Sequence, residues 1–367
     1  MPLTFLSFPV HLPFIMRAVF ATALASAALL GVSANPSLSL SLTTPESVTD
    51  VEDFTVTAIV KNTGTETLKL LKDPRSVLSS ARTHTFNVAS EKGSPRFTGM
   101  FIKYSPEAAV KKNNAASFTI LAPGQSFEIT HSLAGVYNFT DAGAGDFKLN
   151  TVSNVFQYVD ASGNLAMLEA STESKKVGLT GNLVSTRGLP KIGARSLSKR
   201  VSYVGCNSDQ QSQIARAATA ANQYVSSATA YLDGISSGTT RYTTWFGAYD
   251  SGRASTVHSH FSAMGTDASS TTYDCSTCTV EAFAYVYADQ PGRIYLCSAF
   301  WGAQTTGTDS QAGTIVHEQS HFTINGGTED IVYGQTLAKN LAKSNPSQAI
   351  RNADSHEYFA ENTPALS

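Results

Sequence analysis

The pattern of apolar and polar residues changes near the middle of this chain. Between residues 35 and 180, β-branched and aromatic residues are grouped in short runs, such as Phe54–Val60, Ser126–Thr130 and Phe147–Asn150, with Gly, Pro and Asn between them. Short strands separated by regular turn signals are typical of a β-sandwich. We therefore expect the first half of the chain to form a β-rich, sandwich-like domain.

Beyond Arg200 the pattern predicts helices around a small sheet. Apolar residues recur at helical spacing in an alanine-rich segment, which predicts a helix from Ser208, as its cap, to about Asp233. Other helices are expected near residues 254–264, 309–323, 334–342 and 347–359, with a strand–turn–strand hairpin at residues 282–297. The chain as a whole is thus predicted to be an α+β protein, in which a mainly helical domain follows the β-sandwich-like one.

The first 34 residues have the features of a secretory signal peptide. Arg17 precedes an uncharged run, Ala18–Val32, and small residues follow before Asn35. A basic start, an apolar centre and a small-residue cleavage site are the parts of such a signal, and this run is shorter than the roughly 20 residues of a membrane span. We expect residues 1–34 to direct the protein to the extracellular space, with Met16 as a second candidate for the true start.

A polar linker separates the two compositional regions. It runs from about Gly181 to the basic pair Lys199–Arg200, which a dibasic processing protease would cut. The alternative is an ordinary charged linker. Processing at this pair would divide the chain into a propeptide, residues 35–200, and a mature domain, residues 201–367.

Composition places the chain among globular proteins, with 42% hydrophobic and 15% charged residues. The net charge of −2 hides an asymmetry, because residues 201–367 carry seven basic and fourteen acidic residues whereas residues 1–200 carry nineteen and fourteen. Opposite charges would attract the two halves to each other, as an inhibitor segment and an enzyme attract. The alternative is that two unrelated domains simply differ in composition.

All four cysteines lie in the second half, at positions 206, 275, 278 and 297. An even number in an exported protein indicates disulfides, and sequence alone does not choose among the three pairings that four cysteines allow. Cys275 and Cys278 form a C-x-x-C pair, but a zinc knuckle needs a second such pair or two His residues. We therefore expect structural disulfides.

The strongest chemical signal is the H-E-x-x-H sequence His317–His321. On a helix, residues i and i+4 share one face, so His317 and His321 can bind one zinc ion while Glu318 acts as general base on its water. Thr308 or Asp309 is the expected cap of this helix. A coincidental pair of helical His residues is the alternative, which the capped and amphipathic context disfavours.

A catalytic zinc needs a third protein ligand and an open position. Gly327 stands where a metzincin would have its third His, so that arrangement is excluded. Glu329 and Asp330 follow the glycine turn, which frees the chain to fold back toward the metal. Either carboxylate is a candidate ligand, and spacing does not choose between them.

The segment Gly327–Gly334 matches the G-T-x-D-x-x-Y-G signature of the aspzincin metallopeptidases, which also have the H-E-x-x-H sequence. The chain resembles this family over residues 201–367, and within the family it resembles the fungal peptidyl-Lys metalloendopeptidases. The resemblance implies a zincin-type catalytic domain with one Zn²⁺, Asp330 as third ligand, and Tyr333 as a donor to the oxyanion. A core tyrosine packed under the helix is the alternative for Tyr333.

Two further expectations follow from the resemblance. It implies the disulfides Cys206–Cys275 and Cys278–Cys297, and it matches the upstream half only loosely, as a family-type propeptide. That half contains no cysteine, which excludes inhibition through a cysteine thiolate. Occlusion by shape or by charge is the remaining hypothesis for how the propeptide blocks the site.

Asp354 and Glu357 are three residues apart on the last predicted helix and so share one face. Two carboxylates at the end of a pocket favour a long cationic side chain. The resemblance implies that they bind the residue after the cut bond, and hence that cleavage occurs on the amino side of lysine. An exposed acidic helix face is the alternative.

These features predict a secreted zinc metalloendopeptidase made as a zymogen. Its expected partners are lysine-containing proteins as substrates, its own propeptide as inhibitor and a dibasic processing protease, with neither nucleic acid nor membrane among them. One alternative is a deuterolysin-like aspzincin of broader specificity. The other, from a different class, is a secreted and catalytically inactive binding protein.

Overall fold

The computed structural model describes Met1, residues 35–185 and residues 200–367. The predicted signal peptide, apart from Met1, therefore lies outside the described residues, as does the end of the linker up to Lys199. Arg200 is exposed.

The N-terminal region, residues 35–185, is β-rich, as its sequence pattern predicts. In chain order its strands are β1 (Leu38–Thr43), β2 (Ser47–Asp50), β3 (Thr55–Asn62), β4 (Leu68–Leu71), β5 (Phe86–Ala89), β6 (Arg96–Phe97), β7 (Phe101–Lys103), β8 (Phe118–Leu121), β9 (Ser126–Ser132), β10 (Tyr137–Asn138), β11 (Gly145–Thr151), β12 (Val155–Val159), β13 (Leu165–Ser171) and β14 (Lys175–Asn182), and helix α1 (Pro106–Lys112) follows β7. Strands β8-β4-β12-β13-β1-β3-β9 form one sheet, β2-β14-β11-β5 a second, and β6 pairs with β10.

The two larger sheets of this region contribute to one buried core. In β3, Val56, Ala58 and Val60 point inward and alternate with more exposed neighbours, because successive side chains of a strand point to opposite faces. Phe147 and Leu179 reach the same core from the other sheet. The apolar runs of the first half thus bury their side chains between two sheets.

The C-terminal region, residues 200–367, consists of helices around a small sheet. Its helices are α2 (Ser208–Asp233), α3 (Thr240–Phe246), α4 (Ser251–Met264), α5 (Gln311–His321), α6 (Gln335–Ser344), α7 (Pro346–Ala349) and α8 (Ala353–Glu361), and its strands are β15 (Ser202–Val204), β16 (Thr272–Asp274), β17 (Ala284–Val286) and β18 (Arg293–Leu296). Strands β17 and β18 form the predicted antiparallel hairpin. The α+β prediction is confirmed at this level.

The caps of two helices differ from the sequence-based expectations. The cap of α2 is Asn207 rather than Ser208, because the side chains of Asn207 and Gln210 each accept the other's backbone N–H. The cap of α5 is Ser310 rather than Thr308 or Asp309.

The predicted helix at residues 347–359 is instead two helices, α7 and α8, separated at Asn352. The side chain of Asn352 accepts the backbone N–H groups of Ile331 and Val332, at 3.1 and 3.0 Å. A polar side chain that bonds to backbone groups outside its own helix competes with helix continuation. The break therefore ties the start of α8 to the Gly327–Gly334 segment.

Helix α5 lies at the centre of the C-terminal region. All eleven of its residues are buried, including the polar ones, and it packs against α2 and α8. A helix buried on every side belongs to the interior of a protein. The charged and polar side chains of α5 are thus held in a site largely shielded from water.

The small sheet joins the two regions of the chain. Its strand order is β15-β16-β18-β17-β7, so the last strand comes from the N-terminal region. Strand β7 runs antiparallel to β17, with Lys103 opposite Ala284 and Phe101 opposite Val286. Residues Asn35–Ser367 form one compact unit.

Two disulfides lie beside this sheet. Cys206 is bonded to Cys275, and Cys278 to Cys297, which are the pairs that the family resemblance implies. The first disulfide joins the chain after β15 to the chain after β16. Within the described residues, no helix is both long and apolar enough to cross a membrane.

Candidate active site

The metal-binding candidates meet at the end of α5. His317 and His321 lie one turn apart and are fully buried. After α5 the chain turns at Gly327, whose φ of 56° favours glycine, and returns to the helix. Asp330 Oδ1 then lies 3.1 Å from His317 Nε2 and 3.3 Å from His321 Nε2. Glu329, the other candidate ligand, instead forms a surface ion pair with Arg351.

These three donor atoms suit a zinc ion. His321 Nδ1 lies 2.8 Å from the carbonyl oxygen of Thr328, which can only accept, so this nitrogen donates and Nε2 keeps a free lone pair. That Nε2 is buried and makes no hydrogen bond to the described residues. Zinc bonds of about 2.0–2.2 Å in a tetrahedral site place ligand atoms a little over 3 Å apart. His317, His321 and Asp330 together fit one zinc ion and leave its fourth position to a non-protein ligand.

Carboxylates lie on both sides of the imidazole of His317, a candidate metal ligand. On the Asp330 side, burial alone would raise the pKa of the carboxyl, but protonated imidazoles at His321 and His317 would outweigh burial and hold the pKa of Asp330 well below its usual value. On the far side of His317, Nδ1 lies 2.9 Å from Asp354 Oδ1. A carboxylate at the second nitrogen of a ligating His orients its ring.

Glu318 and Tyr333 both face the same segment of the N-terminal region. Glu318 Oε1 accepts the backbone N–H of Lys103 at 2.9 Å, and the Tyr333 hydroxyl donates to the carbonyl of Ile102 at 2.7 Å. Burial raises the pKa of Glu318 well above its usual value. The two predicted catalytic side chains therefore flank a single peptide bond, Ile102–Lys103.

Tyr333 has a cationic neighbour from the N-terminal region. The guanidinium of Arg75 lies 4.3 Å from the centre of the Tyr333 ring, and Asp73 binds the same guanidinium at 2.7 Å. A cation over an aromatic face is a stabilising contact. Tyr333 is also buried, so it combines the packed position of a core tyrosine with a hydroxyl directed at a carbonyl oxygen.

Asp354 and Glu357 lie at the end of a pocket and do not form an exposed helix face. Both side chains are fully buried on α8. The ammonium of Lys103 lies 2.8 Å from Glu357 Oε2 and 3.2 Å from Asp354 Oδ1. The Lys103 side chain is itself 0% exposed, so the pocket encloses a lysine completely.

Two residues of this pocket were missed by the sequence-based reasoning, which considered Asp309 only as a helix cap. Asp309 Oδ1 lies 2.9 Å from Lys103 Nζ, and the Tyr358 hydroxyl donates to the same carboxylate at 2.8 Å. Asp309 has a left-handed backbone, with φ of 51°, immediately before α5. No spacing pattern connects Asp309 with α8, since 45 residues separate it from Asp354.

The chain is similar to known lysine-specific metallopeptidases. Residues 231–361 match the family model described as lysine-specific metallo-endopeptidase. Over 92% of its length the chain is 50% identical to the peptidyl-Lys metalloendopeptidase of Armillaria mellea and 47% identical to that of Grifola frondosa, covering 95% and 96% of those proteins. The solved structure of a zinc peptidase from Grifola frondosa is 55% identical over 44% of this chain and 100% of that one, with a TM-score of 0.43.

Identity of 47–50% over 92% of the chain is strong evidence of common descent. The H-E-x-x-H helix and the Gly327–Gly334 signature, on which the resemblance was based, lie in the part of the chain that the family model matches. The family match also favours the enzyme over the alternative of an inactive binding protein. The chain belongs to the aspzincin family, M35, and is a zinc metalloendopeptidase.

Proposed function

We propose that this chain is a secreted zymogen whose mature enzyme hydrolyses peptide bonds on the amino side of lysine. The observation that carries the proposal is the complete burial of the Lys103 side chain among the carboxylates of Asp309, Asp354 and Glu357. A buried ammonium with three acidic neighbours marks a pocket built for a cation.

The electrostatics of the pocket support recognition of a charged lysine. Burial alone would lower the pKa of Lys103, but Asp309, Asp354 and Glu357 outweigh it and raise that pKa well above its usual value. Burial would raise the pKa of Asp354, yet Lys103 and His317 hold it below its usual value. The pocket therefore stabilises the charged form of the side chain that enters it.

The pocket also supports the position of the cut. The backbone nitrogen of the enclosed lysine contacts Glu318, and the carbonyl before it contacts Tyr333. A lysine in this pocket thus presents the peptide bond on its amino side to both catalytic candidates. A cut on the carboxyl side would need the next peptide bond at the same place.

The proposed mechanism assigns one role to each side chain. His317, His321 and Asp330 would hold the zinc, which when bound supplies Lewis acidity and a water of lowered pKa. Glu318 takes a proton from the attacking water and delivers it to the leaving amine. The nitrogen of that amine corresponds to the backbone nitrogen of Lys103, which the Glu318 carboxylate contacts. The Tyr333 hydroxyl donates to the carbonyl oxygen and stabilises the negative charge that develops there.

The proposed organisation has a signal peptide at residues 1–34, a propeptide at 35–200 and a catalytic domain at 201–367. Cleavage after Lys199–Arg200 would separate the last two. The peptidyl-Lys metalloendopeptidase of Pleurotus ostreatus supports this division, because 98% of that protein matches only 165 residues of the chain, about the length of the catalytic domain. Two disulfides and similarity to an extracellular protease of Aeromonas hydrophila, 37% identical over 92% of the chain, support secretion.

A peptide-end analysis tests the proposal. Enzyme processed at Arg200 is incubated with a denatured protein, with and without a zinc chelator, and the new peptide termini are identified by mass spectrometry. We expect almost all new N-termini to be lysine and none to form with chelator. A matched substrate with acetylated lysines should resist cleavage. Scattered termini would reject the lysine pocket in favour of a broader, deuterolysin-like specificity.

A further inference from the structure

We propose that Lys103 of the N-terminal region is the residue that closes the active site, by occupying the lysine pocket as a substrate lysine would. The inference rests on the proposed lysine specificity and adds the means of inhibition. The propeptide would then act as a competitive inhibitor attached to its own enzyme, with the Ile102–Lys103 bond in the position of a bond to be cut.

The backbone of the inhibitory segment is bound as an added strand. Strand β7 pairs antiparallel with β17, and the N–H of Phe283 donates to the carbonyl of Lys103 at 2.9 Å. Main-chain pairing to a sheet edge is a common way to bind an extended peptide, with side-chain pockets supplying the selectivity. The backbone contacts of β7 are independent of side-chain identity, so they would serve a substrate equally well.

The residues before the Ile102–Lys103 bond also contact the candidate metal ligands when β7 is paired with β17 in this register. The Ile102 N–H donates to Asp330 Oδ2 at 2.7 Å, and the Phe101 ring stacks on the His321 ring with centroids 4.6 Å apart. Together with the bonds from Tyr333 and to Glu318, these contacts cover the metal-binding residues with three consecutive residues. No room is left for a second peptide in this register.

The side chain of Lys103 is the part of the segment whose loss should matter most. Its ammonium is the only cation from the described residues that forms an ion pair with Asp309, Asp354 or Glu357, apart from the neighbouring imidazole of His317. Removing one partner from a buried ionic cluster leaves uncompensated charge in a poorly solvated place. A neutral or acidic residue at position 103 should therefore destabilise the docked strand.

The fold of the N-terminal region delivers the segment to the cleft. Before the strand, the Met100 N–H donates to the carbonyl of Arg82 at 2.8 Å. After it, the Ser105 hydroxyl donates to Asp309 Oδ2 at 2.8 Å, and Tyr104 packs against Tyr333. Attachment to a folded domain gives Lys103 a high effective concentration at the pocket, which a free substrate must overcome.

Binding of a peptide to the intact zymogen tests this inference without relying on catalysis. All proteins are the full chain with Glu318→Gln, which prevents self-digestion, and intact mass confirms that the linker is uncut. The variants are Lys103→Met, Lys103→Glu and Lys103→Arg, with Lys111→Met as a matched control at an exposed lysine of the same region. Circular dichroism and tryptophan fluorescence confirm folding. The probes are two fluorescent extended peptides that differ only in one central residue, lysine or its neutral analogue norleucine.

We expect Lys103→Met to bind the lysine probe at least about tenfold more tightly than the unsubstituted zymogen, and Lys103→Glu about a hundredfold more tightly, because an added carboxylate is repelled. Lys103→Arg should change binding less than Lys103→Met, and Lys111→Met should leave it unchanged. Equal binding by all variants would overturn the inference, as would absence of binding by every folded variant. If the Lys103 variants bind both probes equally well and more tightly than the unsubstituted zymogen, occlusion of the site by Lys103 is supported and the proposed lysine specificity fails.

Discussion

The proposed metal centre and the acidic pocket around Lys103 meet at His317 but are assembled in different ways. The proposed metal-binding residues lie within fourteen consecutive positions, His317 to Asp330, on one helix and the turn after it. The pocket combines Asp309 with residues of α8 and is filled by Lys103 from the other half of the chain. A local site can be recognised from spacing, whereas a pocket assembled over long range depends on the whole fold.

The two sites are also coupled physically. Asp354 contacts both the Lys103 ammonium and the second nitrogen of His317, at 3.2 and 2.9 Å. Asp309 contacts the ammonium and Tyr358 instead. Substitutions at these positions should therefore separate metal binding from lysine recognition.

The largest effect is expected at Asp330, the proposed third metal ligand. In the processed enzyme, Asp330→Asn should abolish stoichiometric zinc binding and lower kcat/KM on the order of a thousandfold or more, because a neutral amide is a poor zinc ligand. Zinc content after gel filtration measures zinc binding, and initial rates on a lysine peptide measure kcat/KM. The matched control is Glu329→Gln, whose carboxylate pairs with Arg351 at the surface and should be dispensable. Loss of zinc in the control instead would assign the ligand to Glu329.

The next effect is expected at the Tyr333 hydroxyl, the proposed donor to the carbonyl oxygen of the bond that is cut. Tyr333→Phe should lower kcat about a hundredfold with zinc content retained and KM little changed, since an oxyanion donor acts mainly in the transition state. Steady-state kinetics on the processed enzyme and its thermal midpoint provide the test. An unchanged kcat combined with a lower midpoint would show that Tyr333 is a packing residue only.

A smaller and more selective effect is expected in the pocket. Asp309→Asn should lower the preference for a lysine peptide over its norleucine analogue by about tenfold, because one charge-assisted contact is lost, while zinc affinity stays the same. Asp354→Asn should lower the preference and also weaken zinc binding by about 10–100-fold, through His317. Competition with a chelator measures the zinc affinity. Equal effects of the two substitutions on zinc would contradict the separation of the sites.

The smallest effect is expected at the periphery of the contact between the regions. Lys112 pairs with Glu281 at 3.1 Å, and the two side chains are 47% and 35% exposed. Exposed ion pairs contribute about 0–1 kcal/mol, so Lys112→Ala should change peptide binding to the zymogen by no more than about fivefold. Binding of the lysine probe to the full chain with Glu318→Gln and Lys112→Ala measures this effect. An effect as large as that of Lys103→Met would show that surface charge, and not the pocket, holds the propeptide in place.

The ion pairs between the regions have a consistent direction. Lys103, Lys112 and Arg96 of the N-terminal region each pair with acidic residues of the C-terminal region. The charge asymmetry of the sequence predicts attraction of this kind. The most buried of these contacts, however, is made by the single lysine Lys103, and a count of charges in the sequence does not identify that residue.

Several features follow from the sequence by itself because they depend on neighbouring residues. Helical spacing predicts the helix at Ser208–Asp233 and places His317 and His321 on one face of α5. Alternating and turn residues predict the β17–β18 hairpin and the β-rich first half. These patterns are local, since hydrogen bonds within a helix or hairpin join residues close in sequence.

Other features were decided only by the tertiary structure. Spacing left Glu329 and Asp330 as equal candidates, and the path of the chain after Gly327 brings Asp330 to the imidazoles. Asn352 ends one helix and starts another because its side chain bonds to a distant segment.

The same reason explains why Lys103 could not be singled out among the lysines of the first half. Its backbone partner Glu318 is 215 residues away, and its pocket forms only when β7 adds to β17. Burial is what gives a charge its specific partner, because in water the same lysine would interact only weakly with any carboxylate. The sequence therefore determined the chemistry of the metal site and the helices that carry it, and folding decided which lysine meets the acidic pocket.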